Sequence, residues 1–269
     1  MLSFANAKIN LGLHVLEKRP DGYHNLETVF YPVKVFDVIE LTDSPTGGTA
    51  LGVHGAGIPG PATDNICLKA FAVLNKDFKL PPQQITLLKN IPVGAGLGGG
   101  SADAAFLVKL LNEKFSLGLS EAQMEDYVRP LGADCPFFIR NRPVYAAGKG
   151  DVFSDISIDL SGYFLALVKP GLHVSTAEAY HGIIPAIPSV PLKELIGLPV
   201  AKWRKNLKND FEAPVFAKYP EIGQIRDHLY QKGAIYAAMS GSGSSVFGIF
   251  EKPIQLPELE TSCGVFYDV

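Results

Sequence analysis

Five glycines fall within the eleven residues Pro92, Val93, Gly94, Ala95, Gly96, Leu97, Gly98, Gly99, Gly100, Ser101 and Ala102, directly before an alanine-rich, helix-forming segment. Glycine tolerates positive φ and close approach of backbone to a ligand, so successive N–H groups can converge on one negatively charged point. A helix beginning there adds unpaired N–H groups and the positive end of its dipole. The chemistry predicted is the binding of a phosphate.

Three mechanical classes of glycine loop differ in what must surround them. A P-loop needs a lysine directly after its last glycine, and none lies between Lys89 and Lys109. A dinucleotide fold is matched by the GxGxxG of Gly94 to Gly99 but wants an acidic residue about 20 positions on, at the end of a second parallel strand. Glu113, the candidate, falls in or at the end of the predicted helix. The protein-kinase signatures V-A-I-K, H-R-D and D-F-G are absent.

Other residue types stand out one at a time. Lys8 interrupts the apolar run Ala7-Lys8-Ile9, where burying an ammonium without a partner is costly, although strand alternation could turn it to solvent. Asn10 lies one strand period further and points to the same side. Asp134 sits in a predicted loop from Gly132 to Pro136, where a carboxylate can face a ligand or serve as a turn former. Tyr23 and His24 follow the turn-like Arg19-Pro20-Asp21-Gly22, and Ser240 to Ser245 form a glycine-serine turn.

The elements that must position these residues are read from periodicity and punctuation. Strands are predicted at Ala7 to Leu16 and Thr28 to Leu41, rich in Val, Ile, Phe and Tyr. A helix capped by Asp64 runs through Cys67, Ala70, Phe71 and Leu74, followed by a strand at Gln84 to Lys89. After the glycine loop, a helix from about Ser101 to Phe115 is apolar around most of its circumference, as a buried helix would be. Ser120 to Gln123 and Ser175 to Glu178 read as capping boxes, the first helix ending near Leu131. Strands follow at Val144 to Ala146 and Tyr163 to Val168, then a helix at Pro220 to Gln231 and a strand pair at Ala234 to Met239 and Val246 to Phe250. The segment 185–208 carries no usable motif.

The 269 residues suit two domains, joined near Ser157: 1–157 and 158–269. With 47% hydrophobic and 19% charged residues the chain has material for a core, and disorder and coiled coil are excluded. A net charge of −3 disfavours a nucleic-acid or anionic-lipid surface. No signal-peptide pattern or membrane span is read, so a cytoplasmic protein is expected. Cys67, Cys135 and Cys263, widely spaced, are expected as buried thiols.

Taken whole, PxxxGLGGGSAxAA resembles the nucleotide loop of the GHMP kinases, the superfamily that includes galactokinase, homoserine kinase and mevalonate kinase. Ala5 to Leu11 and Met239 to Phe247 match in the expected order. Arg19 to Leu26, the triple-glycine form of the loop and Leu131 to Phe138 are similar to the branch that acts on a cytidine diphosphate-linked methylerythritol. The resemblance implies an α+β fold of two domains. These would be an N-terminal α/β domain with a mixed sheet, like the second domain of ribosomal protein S5, and a ferredoxin-like C-terminal domain, with the active site in the cleft between them.

By the same resemblance, Asp134 accepts the proton of the substrate's 2-hydroxyl with Lys8 as its partner, and Asn10 contacts substrate. Tyr23 stacks on the cytosine, His24 reads its edge and Tyr180 supplies the opposite aromatic face. Asn65 and Lys89 line the nucleotide pocket with Pro92 to Ala102, and Ser101 offers its hydroxyl to phosphate or magnesium. ATP is the implied co-substrate, with Mg2+ held mainly by phosphates and water and no dedicated protein ligand apparent. The protein would be a monomer or homodimer. The other readings are a GHMP kinase for a different small alcohol and a nucleotide-binding regulator of the same fold that has lost its chemistry.

Overall fold

A computed structural model describes residues Met1–Val269, which form two compact units, each drawn from three stretches of the chain. The first comprises Met1–Ala7, Val35–Val93 and Gly98–Arg142, the second Lys8–Lys34, Gly94–Leu97 and Pro143–Val269. The join expected near Ser157 falls inside the second unit, because two long strands each contribute residues to both. They are β1 (Leu2–Lys18) and β2 (His24–Asp43). From Ala5 to Val15 every residue of β1 is buried, the pattern of a strand covered on both faces.

In the first unit, β3 (Ala50–Gly55) and α1 (Ile66–Phe78) precede β4 (Gln83–Lys89). β4 runs parallel to β3 and antiparallel to Val38–Asp43 of β2, giving a mixed three-strand array. Four helices accompany it: α1, α2 (Gly99–Lys114), α3 (Glu121–Val128) and α4 (Cys135–Arg140). α2 buries Ala102, Ala104, Ala105, Leu107, Val108, Leu110 and Leu111 and packs against α1 and α4, as its all-round apolar sequence requires. It starts two residues earlier than expected, since Gly99 and Gly100 are already helical.

In the second unit, Thr28–Phe30 of β2 pair with β5 (Val144–Ala147), which pairs with β6 (Val152–Asp155). No strand was expected at β6, whose four residues are too few for an alternation to register. A second sheet is antiparallel throughout. Its strands are β7 (Phe164–Pro170), β8 (Tyr236–Met239), β9 (Val246–Phe250) and β10 (Cys263–Tyr267), in the order β10-β7-β9-β8. Six helices belong here: α5 (Thr176–Tyr180), α6 (Leu192–Ile196), α7 (Val200–Asn206), α8 (Glu212–Lys218), α9 (Pro220–Gln231) and α10 (Pro257–Glu260). Ile222, Ile225 and Leu229 of α9 recur at helical spacing and share one core with Val168, Val246 and Phe250. The segment 185–208 is not featureless: it forms α6 and α7 and anchors Trp203, whose indole lies edge-on to Tyr236 at 5.6 Å.

Local chemistry explains the other departures. Asn65, not Asp64, caps α1, its side chain accepting the Cys67 N–H at 2.9 Å, while Asp64 ends a 3-10 turn. The Ser120 box forms reciprocally. The Ser175 box is only half made, because the carboxylate of Glu178 is taken by Lys218 and the Tyr219 hydroxyl. α3 ends at Val128 and a 3-10 turn, Arg129–Leu131, completes the expected span. Cys67 and Cys135 are buried thiols, but Cys263 is partly exposed at the edge strand β10. No helix is long and apolar enough to cross a membrane.

Candidate active site

The glycine loop adopts positive φ at every second residue: +63° at Gly94, +78° at Gly96 and +71° at Gly98. Gly98 caps α2, and the first amide of the helix to bond backwards is that of Ala102, to Gly98 O at 2.9 Å. The N–H groups of Gly99, Gly100 and Ser101 therefore lack an intrahelical partner, which is the donor set an anion needs. Space constrains the loop glycines as well, a Cβ on Gly94 falling 2.5 Å from the exposed and movable His173 ring. A Cβ on Gly96 would stand 2.0 Å from Ser240 O, and one on Gly99 would stand 2.8 Å from Ile91 Cγ2 and 3.0 Å from Lys89 Nζ.

Within the second unit, Lys8 is 4% exposed, so strand alternation turns it inward rather than to solvent. Its Nζ donates to Asn10 Oδ1 at 2.7 Å and to Gly96 O at 3.1 Å, and lies 4.9 Å from the centre of the Phe30 ring. The Asn10 amide donates in turn to Thr28 Oγ1. Ser240 completes the group: its hydroxyl donates to Gly96 O at 2.9 Å and accepts the Asn10 N–H at 3.3 Å. The Ser245 N–H reaches Ala95 O at 3.2 Å. Two segments far apart in sequence, β1 and the Ser240 to Ser245 turn, thus hold carbonyls of the glycine loop.

Within the first unit, Lys89 is not the surface lysine that a strand end suggests. Its ammonium is buried between two carboxylates, those of Asp37 and, at 2.8 Å, Asp103. Asp37 also accepts the N–H groups of Asn90 at 2.6 Å and Ile91 at 2.8 Å, so its charge is well met. Asp103 fares differently, with one carboxyl oxygen lacking any partner. Burial pushes its carboxyl up to about 8, the Lys89 ammonium opposing and the Asp37 carboxylate reinforcing the rise. Burial thus favours the protonated form of Asp103 beside Lys89, whose Nζ packs against Gly99 at the start of α2.

Asp134 occupies the position just before α4, with αR backbone and no side-chain bond capping that helix. A helix thus begins where a loop was expected, and its short length hid it. A Cβ on Gly132 would meet Cys135 Sγ at 3.3 Å and Ser101 Oγ at 3.6 Å, which places the Asp134 turn against the first turn of α2. Ser101 is therefore in the first turn of α2, beside the Asp134 turn.

The aromatic residues cluster as well. His24 and Tyr180 stack at 4.7 Å with 16° between planes, and Phe211 meets Tyr180 edge-on at 4.8 Å. With those two rings in mutual contact, no base fits between them. Tyr23 is 60% exposed, with Lys149 Nζ 4.7 Å from its ring centre. Asn65 spends its Oδ1 on the α1 cap.

Sequence reading missed Asp37, Asp103 and Asn209. Asp37 and Asp103 each interrupt an apolar stretch, a signal equal to that of Lys8. Asn209 had no such signal; buried, it donates to Met239 O and Gly241 O, on either side of Ser240.

Comparison with known proteins adds to this geometry. The family model described as GHMP kinases N terminal domain matches residues 65–142, and that described as GHMP kinases C terminal matches 195–262. A curated 4-diphosphocytidyl-2-C-methyl-D-erythritol kinase of Bacteroides thetaiotaomicron is 53% identical, the match spanning 99% of this chain and 98% of the relative. A crystal structure of 4-(cytidine 5'-diphospho)-2C-methyl-D-erythritol kinase superposes with a TM-score of 0.84 at 30% identity, covering 99% and 98% of the two chains. A mevalonate kinase structure shares the fold at 13% identity, with a TM-score of 0.71 over 99% of this chain and 98% of its own.

Proposed function

The chain belongs to the 4-diphosphocytidyl-2-C-methyl-D-erythritol kinase family of the GHMP kinases, and from that premise we infer that it transfers the γ-phosphoryl group of ATP to the 2-hydroxyl of 4-diphosphocytidyl-2-C-methyl-D-erythritol. The products are the 2-phosphate and ADP, a step of non-mevalonate isoprenoid biosynthesis. In this chain, the substrate class is carried by the aromatic group of Tyr23, His24 and Tyr180, which lies in the same unit as Lys8 and Gly96. A cytosine offers one flat face and a hydrogen-bonding edge, which suits an exposed tyrosine and an imidazole.

Phosphoryl transfer needs positioning, charge neutralisation and a destination for a proton. We assign the triphosphate to Pro92–Ala102, where the amides at the start of α2 receive phosphate oxygens. Asn65 lies at the adenine side. Lys89 acts from behind, keeping Gly99 in place rather than reaching the nucleotide. Asp134 takes the proton of the attacking hydroxyl, the hydroxyl oxygen bonds to the γ-phosphorus, and the bond from phosphorus to the ADP oxygen breaks. Lys8 orients that hydroxyl and offsets charge on the transferring group, with Asn10 beside it.

Magnesium enters with ATP and screens its charge. No three His, Cys, Asp or Glu side chains assemble into a metal site, and the hard oxygen of Ser101 in the first turn of α2 suits an ion otherwise held by phosphates and water. A reaction that consumes ATP suits the cytoplasm, and a monomer or a homodimer is proposed.

The test is an assay of the pure protein with ATP against the cytidylyl substrate, mevalonate, homoserine and galactose. ADP release with the cytidylyl substrate alone is expected. Release only with another alcohol would reassign the substrate, and release with none would favour a nucleotide-binding regulator.

A further inference from the structure

The segment Asn209-Asp210-Phe211-Glu212 enters α8 and touches neither the glycine loop nor His24 in any bond described above. Yet it grips what holds each of them. Asn209, 3% exposed, donates both hydrogens of its amide: one to Met239 O and one to Gly241 O, each at 2.8 Å. Those carbonyls flank Ser240, the residue whose hydroxyl carries Gly96 O and the Asn10 N–H. Glu212 accepts the Met239 N–H at 2.8 Å and is itself held by Arg226 at 3.2 Å. The same Asn209 accepts the Phe211 N–H at 3.0 Å through Oδ1. Phe211 follows in the same turn, its ring edge-on to Tyr180, which stacks on His24.

A side chain that must donate twice to adjacent carbonyls and accept once, with no net charge, has to be a primary amide. An aspartate of the same shape would put a second acceptor against two acceptors in a buried setting. The residue type is therefore dictated by the turn it serves. Phe211 supplies the other arm by shape alone.

We propose that Asn209 and Phe211 are positioning residues for the two ends of the reaction. Asn209 sets the Ser240 turn, and through it the glycine loop that takes ATP; Phe211 sets the Tyr180 face that takes the cytidine end. This rests on the assignment of ATP to the glycine loop and of cytosine to the aromatic group. A merely structural segment would weaken both ends together. A brace with two arms lets them be separated.

Steady-state kinetics on four variants decides the matter, each checked for an unchanged circular dichroism spectrum. Asn209→Asp is expected to raise the KM for ATP at least tenfold while the KM for the cytidylyl substrate stays within twofold. Phe211→Leu is expected to do the reverse, raising the cytidylyl KM at least fivefold with the ATP KM within twofold. Asn209→Ser, which keeps one donor, should restore part of the ATP affinity lost in Asn209→Asp and serves in its place if the aspartate variant does not fold. Parallel changes in both constants, or none in either, would overturn the brace. Tyr180→Ala separates the premises: a raised cytidylyl KM there, without one in Phe211→Leu, removes the brace alone. An unchanged cytidylyl KM in Tyr180→Ala removes the base-site assignment and the Phe211 arm with it.

Discussion

Lys8 shows how far one residue can be read before any fold is known. An ammonium inside an apolar strand must find partners or neutralise, and here it finds Asn10 Oδ1 and Gly96 O. Asp134 carried less signal, since a loop aspartate has several uses, and only its place against the start of α2 distinguishes it. We expect Lys8→Met and Asp134→Asn each to lower kcat by about 10²- to 10⁴-fold, the range of a lost proton acceptor or electrostatic stabiliser. Nucleotide affinity, read by titration calorimetry with a non-hydrolysable ATP analogue, should change less than threefold. Turnover within tenfold of the parent in either variant would remove that residue from the chemistry. Tyr23 and His24 were legible only through the turn that precedes them, and the mutual stacking of His24 with Tyr180 was not legible at all, because the two are far apart in sequence.

Elements set the tolerance of the loop. Its glycines could have been required by backbone angle, by space or by neither, and the structure separates these cases. Gly96 needs both a φ of +78° and the absence of a Cβ, which would collide with Ser240 O. Gly99 has ordinary helical geometry and is required by space, against Ile91 and Lys89. Gly100 has neither constraint, its nearest neighbour lying 4.0 Å from a built Cβ. Gly96→Ala should therefore raise the KM for ATP at least tenfold, Gly99→Ala less, and Gly100→Ala about twofold or less, a ranking that a glycine count cannot supply. Equal effects at the three positions would mean that the loop is set by something other than these contacts. Helices were predicted where periodicity ran for several turns, as in α2. They were missed where it could not: α4, α6 and α7 have between five and seven residues, too few for a repeat to register.

For the whole molecule, stability should carry the signature of the buried Lys89–Asp37–Asp103 group. A carboxyl raised to about 8 when folded, against an ordinary value of 3.8, binds its proton more tightly in the folded state. Stability from this group is then fully present below the unfolded value and declines as pH rises, until the folded carboxyl has ionised near pH 8. Lys89, raised by its two carboxylates against burial, adds stability that is lost only above its own range. Between pH 6 and 8 the parent should lose up to about 2 kcal/mol, seen as a falling melting temperature. Asp103→Asn, which leaves Lys89 paired with Asp37, should flatten that slope. A slope unchanged in the variant would show that the proton resides elsewhere.

Family and reaction class were legible in the sequence through its resemblance to the GHMP kinases, carried by the glycine run, the Ala5 to Leu11 segment and the turn before Tyr23, whereas spacing alone indicated only a loop suited to a phosphate. The partners of those residues were decided only by tertiary structure. Asp37 and Asp103 meet on Lys89 from 52 and 14 positions away, and Asn209 reaches Gly241 across 32. Even the division of the chain belonged to that level, because β1 and β2 each lend residues to both units, where a linear reading sees one join near Ser157. The physical reason is the same in each case. Spacing along a chain specifies local backbone geometry, whereas buried polar groups are satisfied by whichever strand or turn folding brings within about 3 Å, and that is a property of the packed chain.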